Sequence, residues 1–157
     1  MEEVYDIHQL LVNPKEDDIT IIDSYSFKYS FNFDTFGEIS FVSDVYIRWL
    51  KMPFIQSMFP LPKFLSLTCD QLTDKFITDD YDSVHKNSTF IIPLKGTDDL
   101  ILMSEALGNH VVFNEPIVSL NKLDIIIRSN ESIATLTKED LQHTILLSVR
   151  SQRKKMY

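Results

Sequence analysis

One stretch limits what this chain can fold into more than any other. From Tyr25 to Phe33 an aromatic residue stands at every second position: Tyr25, Phe27, Tyr29, Phe31 and Phe33. Ser24, Ser26, Lys28, Ser30 and Asn32 fill the gaps. A helix would scatter these rings around its axis. An extended strand sends successive side chains to opposite faces, so the same spacing gathers the rings on one side. The stretch predicts a long half-buried strand whose apolar face needs a second layer over it.

The rest of the chain repeats that pattern in shorter pieces. Gly37 marks a turn, and Ile39 and Phe41 predict a second strand. A third has Val45, Ile47 and Trp49 alternating with Tyr46, Arg48 and Leu50. Trp49 and the aromatic stripe are assigned to the core. Further strands are expected over 64–69, 89–94, 100–103 and 111–113. Leu123, Ile125 and Ile127 mark another, and His143, Ile145, Leu147 and Val149 the last. Thr137-Lys138-Glu139-Asp140 has the chemistry to cap one helical turn. Short strands separated by turn signals, with no helical period after residue 18, predict an all-β fold: a single antiparallel β-sandwich or barrel.

Three segments flank or interrupt this pattern. Residues 1–18 read as an acidic N-terminal arm, irregular or forming a short helix, because Val4, Ile7, Leu10 and Leu11 fall at helical spacing before Pro14. The sandwich domain then spans 19–149. Within it Pro53, Pro60 and Pro62 make 51–62 a loop, since proline lacks a ladder donor. The apolar residues of that loop, Phe54, Ile55, Met58 and Phe59, either plug the core or anchor a partner. Residues 150–157 form a basic tail with Arg150, Arg153, Lys154 and Lys155. Lys and Arg total 15 against 23 Asp and Glu, a net −8. Those four basic residues have no acid among them, so residues 1–149 carry −12. Such a body repels phosphate backbones and leaves only the tail to meet nucleic acid or an acidic neighbour.

A search for chemistry is mostly negative. His8, His85, His110 and His143 lie far apart, without the paired spacing of zinc ligands. The lone Cys69 sits in an apolar strand, where it reads as buried; with no second cysteine for an internal disulfide it suits a reducing compartment. No serine has the Gly-x-Ser-x-Gly elbow. Asp79, Asp80 and Asp82 lack the glycine and closing glutamate of a calcium loop. Asn87-Ser88-Thr89 and Asn130-Glu131-Ser132 match the glycosylation sequon, but the acidic start, Met1-Glu2-Glu3-Val4, has no leader chemistry. No apolar run is long enough for a membrane span. No enzyme activity, cofactor, metal or small-molecule substrate is expected.

The second half carries a family resemblance. Its pieces are Phe64-Leu65-Ser66-Leu67, Thr89-Phe90-Ile91-Ile92-Pro93-Leu94, the stretch from Glu115-Pro116 through Leu120, Leu123 and Ile125 to Arg128, and Gln142-His143-Thr144-Ile145-Leu146-Leu147-Ser148-Val149. Together they resemble the C-terminal half of a jelly-roll structural protein of large double-stranded DNA viruses, virophages and polinton-like viruses. Those relatives place an Asp-Gly turn where this chain has Ser129-Asn130-Glu131-Ser132. The resemblance implies a sandwich of jelly-roll type and a capsid component of the virion, a penton or a minor capsid protein assembled in the host cytoplasm. Its partners would be other capsid proteins, with a homopentamer if it is a penton. Contact residues would be Phe54, Ile55, Met58 and Phe59 if the loop is exposed, and Arg150, Arg153, Lys154 and Lys155. The alternative is a cytosolic β-sandwich adaptor that binds a protein partner by strand addition or through its apolar loop.

Overall fold

The computed structural model describes residues 5–33, 37–72, 89–94, 100–102 and 109–152. Arg153, Lys154, Lys155 and the acidic loop with Asp79, Asp80 and Asp82 lie outside the described residues. Among the described residues there are ten strands: β1 (Tyr5–Val12), β2 (Thr20–Asp23), β3 (Ser26–Asn32), β4 (Ile39–Lys51), β5 (Phe64–Cys69), β6 (Phe90–Pro93), β7 (Leu100–Leu102), β8 (His110–Leu120), β9 (Lys122–Ser129) and β10 (Thr144–Gln152). They form two antiparallel sheets in a sandwich-like arrangement. The first runs β1-β10-β4, with β7 and β8 pairing different stretches of β4. The second runs β2-β3-β9-β5-β6. The chain changes sheets after β1, β3, β4, β6, β8 and β9.

One core draws on both sheets. Phe27, Tyr29 and Phe33 of the predicted stripe enter it, with Leu123, Ile125 and Ile127 of β9 beside them. Leu10, Val12, Val45, Ile47, Leu50, Ile145, Leu147 and Val149 come from the other sheet. Phe31 is only partly buried, and Tyr25 lies outside the stripe, 43% exposed, in the turn before β3. There its N–H donates to Asp23 Oδ1 at 2.7 Å, which fixes the turn at the expense of alternation.

The loop after β4 is a plug. A 3-10 turn over Pro53–Ser57 buries Phe54 and Ile55, and Met58 is 5% exposed. These three side chains are internal and therefore leave no surface for a partner. Phe59 alone points outward, 99% exposed. Beside the plug lies a buried polar pair. His143 Nδ1 is 2.8 Å from the Leu141 carbonyl oxygen, which can only accept, so Nδ1 carries the proton. Nε2 then accepts from the Tyr29 hydroxyl at 2.7 Å. Burial pushes the His143 imidazole down to about 4, and it raises the Tyr29 phenol well above its usual range.

Four sequence expectations are corrected. The N-terminal arm is neither irregular nor helical over 5–12. It is β1, paired without a break from Tyr5 opposite Gln152 to Val12 opposite Ile145. The tail starts later than expected, because Arg150 lies inside β10. The second and third strands are one, and Trp49 faces away from the core. Between Ile47 and Trp49, β4 carries Arg48 as an extra residue against consecutive Leu147 and Leu146. That bulge shifts the alternation, so Leu50 turns inward, fully buried, and Trp49 stays half-buried on the other side. The capping expectation at Thr137 holds: its N–H donates to Asp140 Oδ2 and its hydroxyl accepts from the Asp140 N–H.

Candidate functional site

The outer face of the first sheet gathers the charged and aromatic side chains that the body does not otherwise bring together. Directly opposed residues of antiparallel strands share a face. Along β1, Tyr5, Ile7 and Leu11 are exposed while Leu10 and Val12 are buried, so the odd-numbered residues point out. Pairing carries that face across the sheet. Ile7 opposes Arg150, Arg150 opposes Asp44, and Asp44 opposes Val112. One rung on, Ser148 opposes Tyr46, and Tyr46 opposes His110.

Asp44 is the centre of this arrangement. Its side chain is 6% exposed, yet it lies on the solvent side, covered by its neighbours. His110 Nε2 is 2.8 Å from Oδ2, Arg150 Nε is 3.6 Å from Oδ1, and the Ser43 hydroxyl donates to Oδ1 at 2.8 Å. A carboxylate so covered needs such partners, because water can no longer solvate it. Two rings brace the cations. The Arg150 guanidinium lies 5.5 Å above the Tyr5 ring, and that of Arg48 4.8 Å above Tyr46. Arg48 Nε also donates to Ser148 Oγ at 3.0 Å. Such contacts hold each side chain across the sheet and contribute about 0.5–1 kcal/mol each at exposed sites.

The face is therefore cationic and apolar on an acidic protein. Among the described residues, Arg48, Arg150 and the exposed Lys51 share this face with Asp44, while Ile7, Leu11 and Val112 supply exposed apolar surface. His110 and Asp44 make a histidine–carboxylate contact, but among the described residues His110 bonds to no Ser, Thr or Cys. Nor does any group of three potential metal ligands converge among the described residues. Burial pushes the Cys69 thiol up to about 12. No helix among the described residues is long and apolar enough to cross a membrane.

Of the partner-contact residues expected from sequence, Arg150 belongs to this face, and Trp49, expected in the core, lies on it as well. His110 was named among the four histidines and set aside for want of a paired metal ligand; its meeting with Asp44 was missed, since the two come together from 66 residues apart. The signal was present: an aspartate set between Val42 and Val45 in an apolar strand requires a partner. Asp44→Ala is expected to cost about 1 kcal/mol in urea unfolding, a modest loss because His110 and Arg150 can both turn to water. No loss at all would mean that the cluster contributes nothing to the fold. In comparisons with known proteins, the chain matches no family model and no curated protein.

Proposed function

We propose that this protein is a structural subunit of a viral capsid, a penton or minor capsid protein of jelly-roll type, whose work is architectural. The order of its strands supports this reading most directly. A jelly roll has eight strands in two four-stranded sheets, and its chain crosses from one sheet to the other as it winds. Here β7 and β8 fill one strand position beside β4, and β2 is an extra strand outside β3, counted with it. The sheets then run β1, β10, β4, β7/β8 and β2/β3, β9, β5, β6. With the eight positions lettered in chain order, that is first, eighth, third, sixth in one sheet and second, seventh, fourth, fifth in the other. A chain folded as a doubled-over hairpin gives this order, because distant halves then pair side by side.

The resemblance of residues 64–149 to capsid jelly rolls adds to the strand order. The outer face of the first sheet would seat a neighbouring subunit. Ile7, Leu11 and Val112 supply apolar contact, while Arg48 and Arg150 select an acidic partner and exclude basic ones. Replacing both arginines with Ser is expected to weaken that contact most at low salt, since screening already weakens it at high salt.

The reading is tested on particles. Virus-like particles from the source culture are banded on a density gradient, protease-treated, and analysed by quantitative mass spectrometry. The chain is expected at a fixed ratio to the major capsid protein. Its absence from intact particles, or its presence only in the soluble cell fraction, would overturn the proposal in favour of a cytosolic adaptor.

A further inference from the structure

Among the described residues the two sheets have four edges, and three of them are blunted against further pairing. At one, β7 has only three residues, and β8 carries Pro116 and between Val112 and Ile117 advances five residues while β4 advances two. At another, β6 has four residues and ends in Pro93. The third, β2, has four residues and slips register between Ile21 and Asp23. Short strands, prolines and bulges are how natural sheets avoid adding strands. The fourth edge, β1, has none of these. It runs for eight residues, YDIHQLLV, in unbroken register with β10, with no proline, lysine or arginine. Its only carboxylate, Asp6, stands one residue from its end. Ile7 and Leu11 are 54% and 53% exposed on its outer face.

We infer that β1 is a pairing edge for a second copy of this chain, joined antiparallel about a two-fold axis through Gln9. The strand's own sequence selects that occupant. Opposed side chains must share a face, so only registers that match odd positions with odd ones are allowed. In the register centred on Gln9, Ile7 of each copy faces Leu11 of the other, and Gln9 faces Gln9. On the inner side Asp6 faces Val12 and His8 faces Leu10. Every exposed apolar residue in the pairing thus meets another, and no charge meets a like charge. The register centred on His8 instead opposes two histidines and sets Ile7 against Gln9. A two-fold contact of this kind closes on itself, joining two four-position sheets into one without leaving a new edge at β1. This inference does not depend on the capsid reading.

The test is molar mass of the full chain by light scattering at about 100 µM, where even a micromolar contact is nearly saturated. The expected mass is twice 18.3 kDa. Ile7→Lys/Leu11→Lys places lysine opposite lysine at both ends of the pairing and is expected to give monomers. Both positions are over half exposed, so an unchanged urea midpoint, read at monomer concentrations, shows that the fold is intact. Ile7→Lys/Leu11→Glu places lysine opposite glutamate and is expected to restore the dimer. Independently, Gln9→Cys oxidised with copper and dissolved oxygen, which take the two electrons, should form an interchain disulfide, since opposed strand residues have the Cα separation that bond needs. The buried Cys69 does not compete. A monomeric wild-type chain, a five-fold mass, an undiminished dimer in the double-lysine variant, or no rescue by the lysine–glutamate variant would each overturn the pairing. A monomer that is nonetheless found in particles overturns the pairing alone, and a dimer absent from particles overturns the capsid reading alone.

Discussion

Phe27→Ala is expected to destabilise the protein by about 3–5 kcal/mol, the usual cost of removing a fully buried phenyl ring. Phe27 is 1% exposed and sits where the two sheets and the plug meet. Its ring stands edge-on to Phe54, with centroids 6.0 Å apart, and to His143 at 5.8 Å. Alanine would leave a cavity bounded by all three elements, and rigid strands on two sides would keep it from collapsing. Single domains have only about 5–15 kcal/mol of stability to lose. The midpoint of thermal unfolding should fall by roughly 10 °C. Phe31→Ala, on the same strand and the same side, should cost less, because Phe31 is only partly buried. Equal losses at the two positions, measured by urea unfolding, would show that the plug does not close over Phe27.

Acid should weaken the fold through His143. The unfolded chain takes up a proton on this residue near pH 6.5, the folded chain only near 4. Between those values the unfolded state binds more protons, so stability falls as the pH is lowered. A displacement of this size corresponds to about 3 kcal/mol, fully present above pH 6.5 and lost by pH 4. The cause is structural: desolvation opposes the charge, and the Nδ1 contact to Leu141 offsets only part of it. Asp23, Asp124 and Asp140 are also held below their usual range, chiefly by hydrogen bonds from the Tyr25 backbone, Ser30 and the Thr137 backbone respectively. Their contributions are lost below pH 4, in a separate window. The check is urea unfolding from pH 7 to 4.5 in the wild type and in Tyr29→Phe/His143→Leu. The variant removes both polar members together and should lose most of the slope. An unchanged slope would place the titrating group elsewhere.

How much of this was legible in the sequence depended on whether a strand's face could be read without knowing its partner. Over 26–32, 122–129 and 144–152 the alternation is regular, so the strands and most of their buried residues follow directly. β1 was misread because its apolar residues serve two purposes. Leu10 faces the core while Ile7 and Leu11 face out, and together they mimic a helical stripe. Only the pairing with β10 decides between the two, and that pairing joins the two ends of the chain. In the 51–62 loop the composition was plain, but the direction of each side chain was not: Phe54, Ile55 and Met58 turn in and Phe59 turns out within six residues. The outer-face cluster was hidden for the same reason as β1. Asp44, His110 and Arg150 become neighbours through register alone.

The extra residues of β4 give that strand two expansion joints. From Val42 on, its inward side chains fall at 42, 45, 47 and 50, unevenly spaced, because Ser43 and Arg48 are each unmatched by β10. Losing either residue would leave a regular ladder with Val42, Val45, Ile47 and Leu50 still facing in. Losing Tyr46 instead would turn Ile47 to solvent. The joints also carry working side chains, since Ser43 donates to Asp44 and Arg48 to Ser148. The strand can therefore change its length and the chemistry of its outer face at the same two positions, and the hydrophobic side need not register either change.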